Sequence, residues 1–252
     1  MKLNYTDQGA GEAVILLHGI FGYLSNLGNL ARELSSAYRV ISVDLRNHGN
    51  SPHHPQMDIP TLANDIVELI DDLGLSAAIL IGYSLGGKVA MQVALNYPSS
   101  VTKVVIADIA PVTYIPRKDP ALEALLTISG IDVTSLEQAD SVMAEHLLTP
   151  EFRSLLLKNL IRKASGTYIL KINMSSISEN YPTLAVAPAG RPYSGPTLFL
   201  KGENSAYIQS KHHSIMLALF PNMKLEVIND VGHFLHSENP VEFNRHVTDF
   251  LA

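Results

Sequence analysis

The sequence predicts an α/β fold with a mostly parallel, doubly wound sheet. Six short runs rich in Val, Ile and Leu occur at 13–19, 38–44, 77–82, 103–108, 196–202 and 224–230. Continuous apolar runs are typical of strands that are buried on both faces. Segments with apolar residues at helical spacing alternate with these runs, which favours parallel strands joined by helices.

Helices are predicted after most of these strands, within LGNLARELSS, TLANDIVELIDDLG, SLGGKVAMQVALNYP and SKHHSIMLALF. Thr61 is a candidate N-cap for the second of them, because its hydroxyl can accept a hydrogen bond from a free backbone N–H. The segment PVEFNRHVTDFLA places Pro240 at a first helical position and predicts one more helix.

The interval 112–194 lacks the strand pattern. DPALEALLTISG, SLEQADSVMAEHLL and PEFRSLLLKNLIRKA have apolar residues at helical spacing, and no buried strand is predicted among them. We therefore expect a core formed by 1–111 and 195–252, with a helical cap inserted at 112–194. An independent second domain is the alternative, although an active-site lid is the commoner use of such an insertion.

Composition excludes several functional classes. A net charge of −6 gives no electrostatic footprint for nucleic acid or an anionic membrane. The chain has no cysteine, which excludes disulfides, thiolate metal sites and a cysteine nucleophile. Neither a signal peptide nor a run of about 18 apolar residues is found. We expect a cytoplasmic protein without metal or cofactor, either a monomer or a dimer.

The segment GYSLGG presents a candidate nucleophile, Ser84. A G-x-S-x-G pattern between a strand and a helix is typical of a nucleophile elbow, in which small neighbours permit a strained backbone at the serine. The helix N-terminus adds its dipole beneath the hydroxyl. The alternative is an ordinary packing turn.

An oxyanion would need two N–H donors. The residue after the nucleophile, Leu85, supplies one. The loop LLHGIFG follows the first apolar strand, and Ile20 is its candidate donor, with Phe21 as the alternative. We also assign Phe21 and Tyr83 to substrate binding. His18 is expected to be a structural hydrogen-bonding group.

The base is expected late in the chain, because sites of this type have the order Ser, acid, His. His233 follows the last strand, beside Gly232 on a short loop. His236 is the alternative. For His212, His213, His53 and His54 a surface role suffices.

Five motifs carry a family resemblance: LLHGIFG, VDLRNHGNSP, GYSLGGK, VIADIAPV and VGHFLHSENP. Together they resemble the α/β-hydrolase superfamily, and DLRNHG and DIAP most resemble its YbfF-type bacterial esterases. The resemblance covers nearly the whole chain outside the expected cap. It implies the α/β-hydrolase fold and a serine carboxylesterase, or a thioesterase, that acts on small esters of short- to medium-chain acids without a cofactor.

The acid departs from the pattern of most members of that superfamily, which place an aspartate three residues beyond the glycine that ends the penultimate strand. Counting from Gly202 reaches Ser205. Asp108 ends the strand after the elbow helix, which lies beside the nucleophile's own strand in a parallel sheet, although a strand-end turn former is another role for it. In the resembling esterases the aspartate of the DIAP element has the role of the acid, which implies Asp108. Glu203 is the alternative.

Three further residues at a strand end, Asp44, Arg46 and His48, are expected to fix loop geometry.

Two other functions compete with an esterase. One is a carbon–carbon bond hydrolase or a menaquinone-pathway-type lyase, in which Arg153 or Arg162 would grip a substrate carboxylate. The other is a non-catalytic protein that binds a small molecule.

Overall fold

Seven strands form one mixed sheet in the computed structural model, which describes residues 1–115 and 119–252. In chain order the described residues form nine strands, of which β6 and β7 lie outside this sheet: β1 (Tyr5–Gln8), β2 (Ala13–Leu17), β3 (Arg39–Val43), β4 (Ala78–Tyr83), β5 (Val101–Ala107), β6 (Leu160–Arg162), β7 (Tyr168–Leu170), β8 (Thr197–Gly202) and β9 (Met223–Ile228). The sheet has the order β1-β3-β2-β4-β5-β8-β9, and only β1 is antiparallel to its neighbour. The predicted α/β architecture is confirmed.

Helices cover both faces of this sheet and also form much of the segment between β5 and β8. They are α1 (Gly28–Leu34), α2 (Ile59–Asp72), α3 (Leu85–Asn96), α4 (Pro120–Ser129), α5 (Leu136–Ala144), α6 (Pro150–Leu157), α7 (Met174–Leu184), α8 (His213–Leu219), α9 (Leu235–Glu238) and α10 (Pro240–Leu251). Alternate residues of β4 point to opposite layers: Leu80 packs with α2 and α3, whereas Ile79 and Ile81 pack with α1 and α10. Burial on both faces explains the continuous apolar runs.

The segment between β5 and β8 differs from the expected all-helical pattern. It contains α4 to α7 and also β6 and β7, which pair as a small antiparallel sheet. The run PEFRSLLLKNLIRKA is not one helix, because α6 ends at Leu157. The buried Asn159 amide donates to the carbonyls of Leu156 and Phe21 at 3.1 and 2.8 Å, and such side-chain bonds compete with helical ones.

Two smaller expectations are also corrected. The N-cap of α2 is Asp58, not Thr61: its Oδ1 accepts from the Thr61 N–H at 2.8 Å, and Pro60 lies in the first turn, where its missing N–H costs nothing. Strand β1 was not predicted, because all four of its residues are exposed.

The topology places the carboxyl ends of β2, β4, β5, β8 and β9 at one edge of the sheet, because these strands are parallel. Tyr83 pairs with Ala107 in the register of β4 and β5, so Ser84 and Asp108 follow neighbouring strands at the same level. Functional groups gather at this carboxyl edge in open α/β sheets. Over the two described ranges, no helix has both the length and the apolarity to cross a bilayer.

Candidate active site

The turn from β4 to α3 holds Ser84 in a conformation that side chains rarely adopt, with φ 51° and ψ −112°. Glycines make the turn possible. A Cβ on Gly82 would lie 2.2 Å from the Gly86 carbonyl oxygen, and one on Gly86 would lie 2.2 Å from that of Leu17. Both distances are far below van der Waals contact, so the predicted elbow needs glycine at these two positions.

A chain of hydrogen bonds joins three of the predicted residues. His233 Nε2 lies 3.2 Å from Ser84 Oγ, and His233 Nδ1 lies 2.7 Å from Asp108 Oδ2. The buried carboxylate accepts the Nδ1 proton, which leaves Nε2 free to accept from the serine hydroxyl. The structure therefore brings together Ser84, His233 and Asp108, three residues that are far apart in the sequence.

Asp108 is fully buried and is also held from the neighbouring strand. Its Oδ1 accepts from the Gly202 N–H at 3.1 Å, and its Oδ2 accepts from the Ser205 hydroxyl. These donors give the buried carboxyl oxygens the hydrogen-bond partners that they would otherwise lack away from water. Glu203, the alternative acid, is exposed, and its Oε2 accepts from the Asp230 N–H at 2.9 Å instead.

Two aromatic rings pack against the imidazole of His233. The Tyr207 ring stacks on it at 4.0 Å between centroids and 22° between planes, and the Tyr83 ring lies 5.1 Å away. The Tyr207 carbonyl accepts from the Tyr114 hydroxyl at 2.7 Å, which links the loops after β5 and β8. Sequence reasoning missed Tyr207 and also Ser205, although Ser205 stands where an acid was sought and a polar contact there could have been expected.

The loop after β2 provides the candidate oxyanion donors. The Phe21 N–H donates to His48 Nε2 at 3.2 Å and is therefore occupied. The Ile20 N–H makes no hydrogen bond to any residue that the structure describes. Leu85 begins α3, where the N–H has no intrahelical acceptor. Ile20 and Leu85 are thus free to donate, whereas Phe21 is not.

Three histidines near the site are buried and neutral. Burial lowers the pKa of His18 to about 4 and that of His48 to about 3. His18 Nε2 accepts from the Leu45 N–H at 3.0 Å, so its expected structural role is confirmed. Burial also lowers the pKa of His236 to about 4. Its ring lies 4.3 Å from that of Tyr83, and the hydrogen bond to Ser84 Oγ comes from His233 instead.

The strand-end residues after β3 do fix loops, as predicted. Asp44 accepts from the Leu24 N–H at 2.7 Å and from the Asn50 N–H at 2.9 Å. Arg46 forms a buried bidentate pair with Asp65 of α2, at 2.6 and 2.7 Å. These bonds support the loops that surround the site.

Two cavities meet at Ser84, with volumes of about 590 and 300 Å³. Phe21 and Tyr83, the candidate substrate-binding residues, both line the smaller one. Arg153 and Arg162 line neither cavity. The Arg153 guanidinium instead pairs with Asp140 at 2.8 Å, so the geometry does not favour a carboxylate grip by these two arginines.

A buried lysine links α3 to the segment between β5 and β8. Lys88 Nζ donates to the carbonyls of Val112, Ala185 and Val186, at 3.2, 2.5 and 2.7 Å. Burial lowers the pKa of Lys88 to about 7. In the part of the chain that the structure describes, no three His, Cys, Asp or Glu side chains cluster in a way that could hold a metal ion.

Comparison with known proteins decides the family. A family model described as the alpha/beta hydrolase fold matches residues 12–240. The chain belongs to the α/β-hydrolase family. Within that family it is 34% identical to Esterase YbfF of Escherichia coli over 257 residues, which cover 100% of this chain and 99% of that protein.

Other α/β-hydrolases are similarly close. The sn-1-specific diacylglycerol lipase ABHD11 of Mus musculus is 35% identical over 95% of this chain and 81% of its own length. A solved structure of a marine microorganism esterase superposes with a TM-score of 0.93 at 34% identity, covering 99% of both chains. The predicted α/β-hydrolase fold and the resemblance to the YbfF-type esterases are confirmed.

Proposed function

We propose that this α/β-hydrolase is a serine carboxylesterase that hydrolyses short- to medium-chain carboxylic esters through an acyl-enzyme on Ser84. The observation that carries the proposal is the chain of hydrogen bonds from Ser84 Oγ through His233 to Asp108. The names of the relatives, an esterase and a diacylglycerol lipase, support ester hydrolysis.

The first step is acylation. His233 Nε2 takes the proton of the Ser84 hydroxyl as Oγ attacks the ester carbonyl carbon, and the carbonyl electron pair moves to oxygen. Asp108 stabilises the imidazolium that forms. When the tetrahedral intermediate collapses, the bond to the alcohol oxygen breaks and His233 returns the proton to that oxygen.

The oxyanion of this intermediate is assigned to the N–H groups of Ile20 and Leu85. Fixed donors aimed at a developing charge stabilise the transition state more than the substrate, and one such donor is worth about 3 kcal/mol. In deacylation a water molecule loses a proton to His233 and attacks the acyl carbon. The bond from that carbon to Ser84 Oγ then breaks, the acid leaves, and His233 returns the proton to Oγ.

The segment 112–194 is proposed to act as a cap that shapes substrate choice. Its Tyr181 and Leu184 line the large cavity together with Ser84 and Leu85 from the core. Where such a segment limits the access of water, the electrostatic interactions beneath it are stronger. Acyl thioesters would use the same steps and belong in the same substrate panel.

Replacement of Ser84 tests the proposal. Ser84→Ala is expected to lower kcat for p-nitrophenyl butyrate by about 10⁴-fold or more, because the nucleophile is lost while the fold remains. The thermal unfolding midpoint of the variant is the control. If a folded Ser84→Ala protein kept its turnover, the nucleophile assignment would be wrong.

A further inference from the structure

The two cavities at Ser84 differ in their relation to the catalytic groups. Five residues line both cavities: Ile20, Ser84, Asp119, Tyr181 and Tyr207. His233 lines only the smaller cavity, of about 300 Å³, and Leu85 lines only the larger one, of about 590 Å³. From Ser84, the smaller cavity therefore extends toward His233, and the larger cavity extends toward Leu85 at the start of α3.

The position of His233 decides which part of an ester enters which cavity. In the proposed mechanism, on which this inference rests, His233 Nε2 must protonate the alcohol oxygen as it leaves. A proton donor has to lie within hydrogen-bond distance of that oxygen. The alcohol part must then begin beside His233, in the smaller cavity, and the acyl part must extend away from the imidazole.

The linings agree with this division. Aromatic side chains form much of the wall of the smaller cavity, among them Phe21, Phe152 and Phe234. In the larger one, apolar side chains from the core meet others from the cap: Leu85, Ile109, Val112 and Leu184. Such a wall favours a flexible hydrocarbon chain, because each buried methylene contributes about 0.8 kcal/mol.

Charged and polar side chains also line the larger cavity, namely Lys88, Asp119, Gln209, Lys211 and His212. The Lys88 ammonium is bonded to the backbone carbonyls of Val112, Ala185 and Val186, which leaves its aliphatic stem as the part available for contact. Asp119, at the junction of the cavities, accepts from the Tyr181 hydroxyl. The polar atoms of Lys88 and Asp119 are thus occupied by the protein, whereas Gln209 and Lys211 are exposed.

We propose that the larger cavity binds the acyl chain and the smaller cavity binds the leaving alcohol. The substrates are accordingly esters of a medium-chain acid with a small alcohol, rather than acetates of a long alcohol. The assignment fixes the direction in which an ester lies across Ser84.

A pair of isomeric esters tests the direction, namely ethyl hexanoate and hexyl acetate. They have the same composition and differ only in which side of the ester group carries the long chain. We expect kcat/KM, measured by titration of the released acid, to be about tenfold or more higher for ethyl hexanoate. Equal values, or a preference for hexyl acetate, would overturn the assignment.

Two matched variants localise the effect. Leu184→Trp narrows the larger cavity and is expected to lower the ratio of the two kcat/KM values, whereas Leu155→Trp narrows the smaller one and is expected to raise it. The opposite pattern would also overturn the assignment. If neither ester were hydrolysed and Ser84 did not react with a fluorophosphonate, the proposed function itself would fail, which is a different result.

Discussion

At the scale of single residues, backbone strain is concentrated around the proposed reaction centre. Five non-glycine residues have a positive φ, counted over the described parts of the chain, and three of them are Phe21, Ser84 and Asp108, at 61°, 51° and 51°. Such conformations cost about 1–3 kcal/mol each and persist only where surrounding contacts hold them. At Ser84 the contacts come from the close approach of Gly82 and Gly86 to neighbouring backbone, and at Asp108 they are its hydrogen bonds.

The acid assignment leads to a first prediction. Asp108→Asn is expected to lower kcat/KM by about 10³- to 10⁴-fold, because the neutral amide cannot stabilise the imidazolium or hold its tautomer. Glu203→Gln, the matched control, is expected to leave kcat/KM unchanged, since Glu203 is bonded to the Asp230 N–H. Steady-state kinetics of both variants would refute the assignment if the second were the inactive one.

Ser205 is predicted to position Asp108. Its hydroxyl accepts from the Tyr207 N–H at 3.2 Å and donates to Asp108 Oδ2, the oxygen that also holds His233. Ser205→Ala is expected to lower kcat by about tenfold, with KM unchanged, because a hydrogen bond to a charged group is lost.

Rescue by a conservative variant separates this role from a merely structural one. Ser205→Thr keeps a hydroxyl that can donate to Asp108 Oδ2 and should restore kcat. If a folded Ser205→Thr protein stayed as slow as Ser205→Ala, the hydroxyl would not act on Asp108.

At the scale of elements, the close approach of α3 to β2 ties the elbow to the oxyanion loop. A Cβ on Gly86 would meet the carbonyl oxygens of Leu17 and His18 at 2.2 and 2.7 Å, and the second of these begins the loop that carries Ile20. Any displacement of α3 would therefore move both candidate oxyanion donors. The turn from β4 to α3 and the loop after β2 are therefore in direct contact and are expected to move together.

A pair of glycine variants tests this coupling. Gly86→Ala is expected to lower the free energy of unfolding by about 2–3 kcal/mol and to lower kcat, because backbone must shift to admit the methyl group. Gly28→Ala is the control: Gly28 is helical, a methyl group there would meet no atom within 4 Å, and the variant should gain up to about 1 kcal/mol. Urea unfolding of both variants would contradict the account if their effects were equal.

At the scale of the whole molecule, the sequence predicted the central sheet well because its strands are buried on both faces. The same reasoning missed β1, whose residues are all exposed, and the three-residue strands β6 and β7, which are too short to show a period. It also missed α7, which is largely polar and contains Pro182.

The site was predictable to a different extent. Ser84 and His233 belong to local motifs, whereas the contacts of Ser205 and Tyr207 depend on β8 lying beside β5. Strand order arises from packing across the whole chain and leaves no local pattern. Asp108 could be named from its place at the end of the strand after the elbow helix together with the family resemblance, whereas its contacts with Gly202 and Ser205 could not.

The buried histidines predict how global stability depends on pH. The pKa values of His18, His48 and His236 are lowered to about 4, 3 and 4, so the unfolded chain binds more protons than the folded one below the ordinary value of 6.5. Their contribution is fully present above about pH 6.5 and is lost as the pH falls toward 4. We expect the urea midpoint to decrease steadily over this interval.

A pair of histidine variants tests which group causes the decrease of the urea midpoint with falling pH. His236 Nδ1 is buried with no hydrogen-bond partner among the described residues, so His236→Phe removes a titrating group without breaking a hydrogen bond and should flatten the slope. His213→Gln, at an exposed position of α8, should leave it unchanged. Equal slopes in the two variants would show that burial of His236 does not cause the loss.

The most direct test of the central claim, that Ser84 is an activated nucleophile, is to find where a fluorophosphonate attaches. Mass spectrometry of the labelled protein should show one adduct, located on the peptide that contains Ser84, and labelling should be slowed strongly in His233→Ala. An active protein that carries no adduct, or an adduct on another serine, would contradict the account.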